Sequence, residues 1–159
     1  VIIECGTWRG GSALFFASIC ALLNHGRVIS IDRLSEEEIG KRPAHTLITY
    51  VSGSSTDPNV YLSVRHRLGS DESVMVVFDS DHAPGHVARE LELYSQLVTP
   101  GQAMVVEDIN ASLVGGSSDW DLLPVVEAFL KQHPHFQYHE DCEKFLLTFN
   151  PGGWLQRKP

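Results

Sequence analysis

Short apolar runs alternate with stretches of helical period from one end of the chain to the other. Val1, Ile2 and Ile3 open a strand that takes in Cys5. Residues 12–24 then carry Leu14, Phe15, Ile19, Leu22 and Leu23 in a helical pattern, which His25-Gly26 stops. Residues 27–32 (RVISID) read as a second strand, 33–46 as a polar loop containing Pro43, and 47–51 as a third strand followed by Gly53-Ser54-Ser55-Thr56. Asp57 and Pro58 supply an N-cap and a first helical residue for a helix reaching about Leu68. Residues 73–78 (SVMVVF) form an uninterrupted apolar run of the kind buried on both faces of a sheet, and lead into Asp79-Ser80-Asp81-His82. In the next helix, over 85–98, Val87, Leu91, Tyr94 and Val98 define one apolar face. Thr99-Pro100-Gly101 turns the chain into a fifth strand, Ala103–Val106, which ends in Glu107-Asp108. Residues 109–120, with Gly115-Gly116-Ser117-Ser118, suit a lid loop; 121–132 read as a helix, and 136–139 and 145–149 as the last two strands. The alternation predicts an α/β fold: one domain over residues 1–159, with a seven-stranded, mostly parallel sheet, a closing antiparallel strand and helices on both faces.

Composition narrows the function classes. The 159 residues suffice for one domain with a core, and the net charge is −8, with 12 Lys and Arg scattered along the chain. A nucleic-acid substrate needs a basic face, so DNA and RNA are not expected as partners. No apolar run approaches the roughly 20 residues of a membrane span and there is no signal-peptide pattern, so the expectation is a cytoplasmic protein without a membrane partner. Cys5, Cys20 and Cys142 show no C-x-x-C spacing; the first two read as small core residues, and neither disulfides nor thiolate metal sites are expected.

Residues 4–12 (ECGTWRGGS) join the first strand to the first helix through a glycine-rich turn, where an open α/β sheet takes up a nucleotide-like ligand. Trp8 stands where a dinucleotide fold requires the second glycine of G-x-G-x-x-G, and the pattern is E-x-G-x-x-x-G-x-S instead. Acidic residues gather at the carboxyl ends of the apolar runs: Glu4, Asp32, Asp79, Asp81, Glu107 and Asp108. Each costs desolvation unless a partner or ligand meets it. Asp32, 26 residues after Gly6, is placed to accept hydrogen bonds from a ribose diol, with Ser54 and Ser55 on the adenine side. Asp79, Glu107 and Asp108 offer only oxygen, which suits Mg²⁺ or Mn²⁺ and not Zn²⁺; Asp81 is the alternative to Asp79 as first ligand, or else a cap of the following helix. His82 is placed to take a proton from a hydroxyl acceptor. His25, His45, His66, His133, His135 and His139 read as surface residues, while His86 could line the site from the first turn of its helix.

The turn resembles that of class I S-adenosylmethionine methyltransferases, in which the methionine end of the ligand lies over the loop. More broadly, the segments ECGTWRGGSALFFA (4–17), VISIDR (28–33), RPAH-x-x-ITYVSGSSTDP (42–58), VFDSDHAPGHVARELELYSQLVTPG (77–101), VVEDIN (105–110) and FLLTFNPGGWLQR (145–157) resemble the family labelled cephalosporin hydroxylase. The chain is also similar to macrolide-sugar and rhamnosyl O-methyltransferases. The resemblance implies a Rossmann-like class I fold, S-adenosylmethionine, a divalent cation, and methyl transfer to a hydroxyl of a sugar or other small natural product. On this basis Glu4, Gly6, Thr7, Gly10 and Ser12 would hold the amino-acid end of the cofactor, Asp32, Ser54 and Ser55 its nucleoside, and Asp79 would face both cofactor and cation. Asp79, Glu107 and Asp108 match the family's metal carboxylates and His82 its proposed base. The hydroxylase label fits poorly, since the sequence shows no 2-His-1-carboxylate set and no thiolate for an iron centre. The chain begins without Met inside a strand, which predicts that N-terminal elements covering the acceptor in such enzymes are missing, and residues 112–120 follow no pattern of the family. Two alternatives are a metal-independent methyltransferase and a cofactor-binding module or subunit without turnover of its own; a homo-oligomer is compatible with any of these.

Overall fold

Val, Ile and Phe runs prefer extended backbone and, once buried on both faces, pair side by side in parallel. The computed structural model describes residues 1–112, 120–144 and 148–159. Its strands are β1 (Ile2–Cys5), β2 (Val28–Asp32), β3 (Ile48–Ser52), β4 (Met75–Phe78), β5 (Ala103–Val106), β6 (Phe136–Tyr138) and β7 (Trp154–Arg157). They form one seven-stranded sheet in the order β3-β2-β1-β4-β5-β7-β6. The first five run parallel, and β7 lies antiparallel between β5 and β6. Cys5 pairs with both Ile31 and Phe78, so the chain leaves β1, β2 and β4 at one level. Successive connections lead away from β1 on opposite sides, and a crevice opens between the ends of β1 and β4, where ligands bind in such sheets.

Alternation along the strands divides the core into two clusters on opposite faces of the sheet. Ile3, Cys5, Ile29, Ile31, Val76 and Phe78 meet the apolar sides of α3 (Pro58–Arg65), α4 (Pro84–Tyr94) and α5 (Leu123–Gln132). Ile2, Val28 and Ile48 meet α1 (Gly11–Leu22). Asp57 caps α3 through the Asn59 N–H, as its sequence predicts. In α4 and the turn after it, Val87, Leu91, Tyr94 and Val98 are buried as expected.

α1 turns Ala13, Ala17 and Cys20 to the sheet and leaves Leu14, Phe15, Ile19, Leu22 and Leu23 exposed, because small residues permit close helix–sheet approach. Two expectations change. The loop 33–46 contains a one-turn helix, α2 (Glu36–Ile39), closed by a capping box between Ser35 and Glu38. The last strand of the sheet is β7, later than the expected 145–149, of which the described residues 148 and 149 lie outside any strand: Leu155 is buried between its neighbours while Gln156 points away, the period-2 pattern of a strand. Residues 145–147 of the expected strand and 113–119 of the expected lid lie outside the described residues. Cys5 and Cys20 are buried free thiols and Cys142 is an exposed one. Among the described residues no helix is long and apolar enough to cross a membrane.

Candidate functional site

The glycine-rich turn is held in place from below and from one side. Gly6 has φ +104°, and a Cβ there would stand 1.9 Å from the Asp79 carbonyl oxygen, so only glycine fits where β1 and β4 part. The N–H groups of Gly6 and Thr7 both donate to the Ile31 carbonyl. Gly10, at φ +77°, starts α1. Glu4 is buried beneath the turn, where it accepts the hydroxyl protons of Ser30 and Ser12; burial pushes its carboxyl above the usual range. The Thr7 hydroxyl joins Ser30 at 2.5 Å. Asp32 is fixed at the end of β2 by the N–H groups of Trp8 (2.5 Å) and Leu34 (2.8 Å).

Arg42 completes this wall and was not singled out by the sequence. Its guanidinium is buried, donates to the carbonyls of Trp8 (2.9 Å) and Leu34 (2.8 Å), and lies 3.7 Å from the Asp32 carboxylate. The available signal was its place before Pro43, whose ring would meet a Cβ on Gly10 at 2.9 Å.

Beyond the end of β3, Ser54 hydrogen bonds Thr56 (2.9 Å). Ser55 is buried; its hydroxyl meets His86 Nε2 at 3.2 Å and its carbonyl accepts from the Tyr94 phenol at 2.9 Å. His86 also lies 3.4 Å from Glu90, a fully buried carboxylate that accepts the Ser80 hydroxyl at 2.7 Å. The His86–Glu90 contact, a hydrogen bond to the carboxylate, raises the His86 pKa. The sequence gives Glu90 no distinction, since it reads as a polar position in a surface helix.

The acidic ends of β4 and β5 converge. Ligand atoms of Asp79, His82 and Asp108 lie within 4.8 Å of one another, the one such grouping among the described residues. His82 Nε2 stands 3.4 Å from Asp108 Oδ2 and 3.8 Å from Asp79 Oδ1, shielded from solvent and without a hydrogen-bond partner. Glu107 is the next carboxylate, hydrogen-bonded to Asn150, and stays outside that grouping. Asp81 does not cap α4, whose N-cap is Ala83 with no side-chain cap; it accepts the Ala83 N–H at 3.0 Å in the turn before the helix, and Asp79 is the carboxylate that groups with Asp108. Desolvation, then the charges of Glu107, Asp108 and Glu4, push the Asp79 carboxyl up to about 7. The indole of Trp120, partly exposed, lies 5.6 Å from the His82 ring and walls the cluster. The crowded carboxylates are an oxygen donor set whose repulsion a hard divalent cation would relieve, and the orphaned imidazole nitrogen of His82 stands beside them.

The chain resembles proteins with named activities. Rhamnosyl O-methyltransferase of Mycobacterium tuberculosis (strain ATCC 25618 / H37Rv) is 31% identical over 99% of this chain and 66% of its own length. The protein of the same name from Mycobacterium leprae (strain TN) is 31% identical over 99% of this chain and 71% of its own. The chain thus spans about two thirds of these relatives. Among solved structures, the CmcI apo-structure matches with a TM-score of 0.69 at 18% identity, covering 99% of this chain and 64% of that one. MycE methyltransferase from the mycinamycin biosynthetic pathway, in complex with Mg, SAH and mycinamycin VI, matches at 0.66 and 17%, covering 99% and 44%. These likenesses bear out the Rossmann-like methyltransferase fold. Residues 1–158 match the family described as Rhamnosyl O-methyltransferase/CmcI, and the chain belongs to it.

Proposed function

We propose that this chain is the S-adenosylmethionine-binding catalytic part of a divalent-cation-assisted O-methyltransferase acting on a sugar hydroxyl. The observation that carries the reading is the meeting of Asp79, His82 and Asp108 beside the β1–β4 crevice, in a chain of this family. In support, mycobacterial relatives are named rhamnosyl O-methyltransferases, a MycE structure holds Mg, SAH and a macrolide, and a CmcI structure holds Mg and SAM.

In this reading the turn Gly6–Gly10 seats the methionine end, Glu4 stiffens the turn through Ser12 and Ser30, and Asp32 receives the ribose hydroxyls through its remaining lone pairs. Ser54 and Ser55 border the adenine, with Ser55 held by His86 and Tyr94. Asp79, Glu107 and Asp108 would hold Mg²⁺ or Mn²⁺, which when bound lowers the pKa of an acceptor hydroxyl and fixes its oxygen. His82 Nε2 takes the hydroxyl proton. The oxygen attacks the sulfonium methyl in line, the C–S bond breaks, and neutral S-adenosylhomocysteine leaves. Most of the rate gain then comes from alignment and exclusion of water.

The test is methyl transfer from S-adenosylmethionine to rhamnosides with Mg²⁺ present or chelated, alongside calorimetric titration with S-adenosylhomocysteine. Wild-type turnover should require the cation, and Asp79→Ala or Glu107→Ala should abolish turnover while sparing homocysteine-product binding. Full turnover after chelation would select the metal-independent alternative. Product binding without methylation of any glycoside would select a cofactor-binding module that needs further protein for activity.

A further inference from the structure

We propose that Asn150 is a positioning residue that aims the carboxylates of Glu107 and Asp108 at the cation site; the inference rests on the cation reading above. Asn150 is buried, and its amide meets the same neighbouring pair. Oδ1 accepts the Asp108 backbone N–H at 2.9 Å, and the amide stands beside the Glu107 carboxylate, whose charge it favours. Asp108 has φ +55°, a left-handed conformation that a non-glycine residue keeps only when its surroundings impose it. The bond to Asn150 is what ties its N–H in that conformation, and the conformation decides which way the Asp108 side chain leaves β5.

Asn150 is itself anchored. Its N–H donates to the Thr148 hydroxyl at 3.1 Å and its carbonyl accepts from Gly153 at 2.9 Å. The Val106 N–H donates to the Gly153 carbonyl, and a Cβ on Gly153 would come within 2.2 Å of the Val106 carbonyl oxygen. The turn entering β7 is therefore pressed onto the end of β5. An alanine or an apolar residue at position 150 would leave the Asp108 N–H and the Glu107 carboxylate without these partners, each free to turn away from Asp79.

The experiment measures Mn²⁺ binding to this chain by electron paramagnetic resonance, with S-adenosylhomocysteine affinity and melting temperature as controls. Asn150→Ala removes the amide; Asn150→Leu removes it while keeping the branched outline of the side chain. Both should weaken Mn²⁺ about ten- to hundredfold, the usual loss for a partner of metal ligands, and leave S-adenosylhomocysteine affinity within about twofold. Unchanged Mn²⁺ affinity in both variants would overturn the proposal. So would a loss in Asn150→Ala that Asn150→Leu does not share, which would make packing the cause, or an equal loss of Mn²⁺ and S-adenosylhomocysteine affinity. Wild-type protein that binds no Mn²⁺ while binding S-adenosylhomocysteine would overturn the cation reading itself, and this inference with it.

Discussion

At the residue scale His82 is the most demanding position. Its Nε2 is shielded from solvent, has no hydrogen-bond partner, and looks at two carboxylate oxygens at 3.4 and 3.8 Å. A nitrogen so placed is ready to accept a proton from an oxygen arriving between the carboxylates. His82→Ala should lower kcat by about 10²- to 10⁴-fold, the usual contribution of a general base, and remove the limb of the pH–rate profile that reports it. A variant with the wild-type profile would make His82 a bystander. The sequence placed this histidine because the apolar run of β4 fixes where the strand ends, and strand ends fix which side chains face the crevice. Arg42, Glu90 and Asn150 were out of its reach for one shared reason. Arg42 and Asn150 bridge segments 34 and 42 residues apart, Glu90 takes up the turn after β4, and each contact is defined only after the loops have packed.

At the scale of elements, local chemistry was legible wherever one element governs itself. Asp57-Pro58 starts α3 as read, and the Ser35–Glu38 box that closes α2 was available in the sequence, although the surrounding polarity reads as loop. Choosing between the two apolar sides of α1, or placing the last strand at 154–157, requires the sheet itself. One junction between elements also predicts acid sensitivity. Arg27, just before β2, donates through Nε and Nη2 to both oxygens of Glu72, just before β4, at 2.9 and 2.7 Å. Chiefly through these hydrogen bonds the Glu72 pKa falls from 4.5 to about 2. A folded pKa below the unfolded one gives stability that is complete above about pH 4.5 and is lost as pH falls toward 2. Both side chains are about one-third exposed (30% and 33%), so solvent screening limits the contribution to about 1 kcal/mol. Urea unfolding at pH 3 to 7 should therefore show Glu72→Gln less stable than wild type at neutral pH, with the gap closing toward pH 2. A gap that stays constant with pH would assign the cost to packing.

At the scale of the whole molecule, a chain of net charge −8 brings several carboxylates to one end of its sheet. Folding alone gives little reason for that arrangement: partial desolvation and mutual repulsion push the half-exposed Asp79 carboxyl up to about 7, and Glu107 is raised by burial and by Asp108. The unfolded chain spreads these charges apart, so a cation that binds among them favours the folded state by mass action. At 100 times its dissociation constant the gain is about 2.7 kcal/mol. For a domain of this length each kcal/mol raises Tm by roughly 2–4 °C, so saturating Mg²⁺ should raise it by roughly 5–10 °C. Differential scanning calorimetry in Mg²⁺ and in NaCl of equal ionic strength separates site binding from general screening, since NaCl would act on every surface charge alike. Asp79→Asn should lose most of the Mg²⁺ shift while keeping the response to NaCl. If Mg²⁺ and NaCl shifted wild type equally, the acidic cluster would not be acting as a cation site, and its crowding would have to be met by the substrate's own hydroxyls.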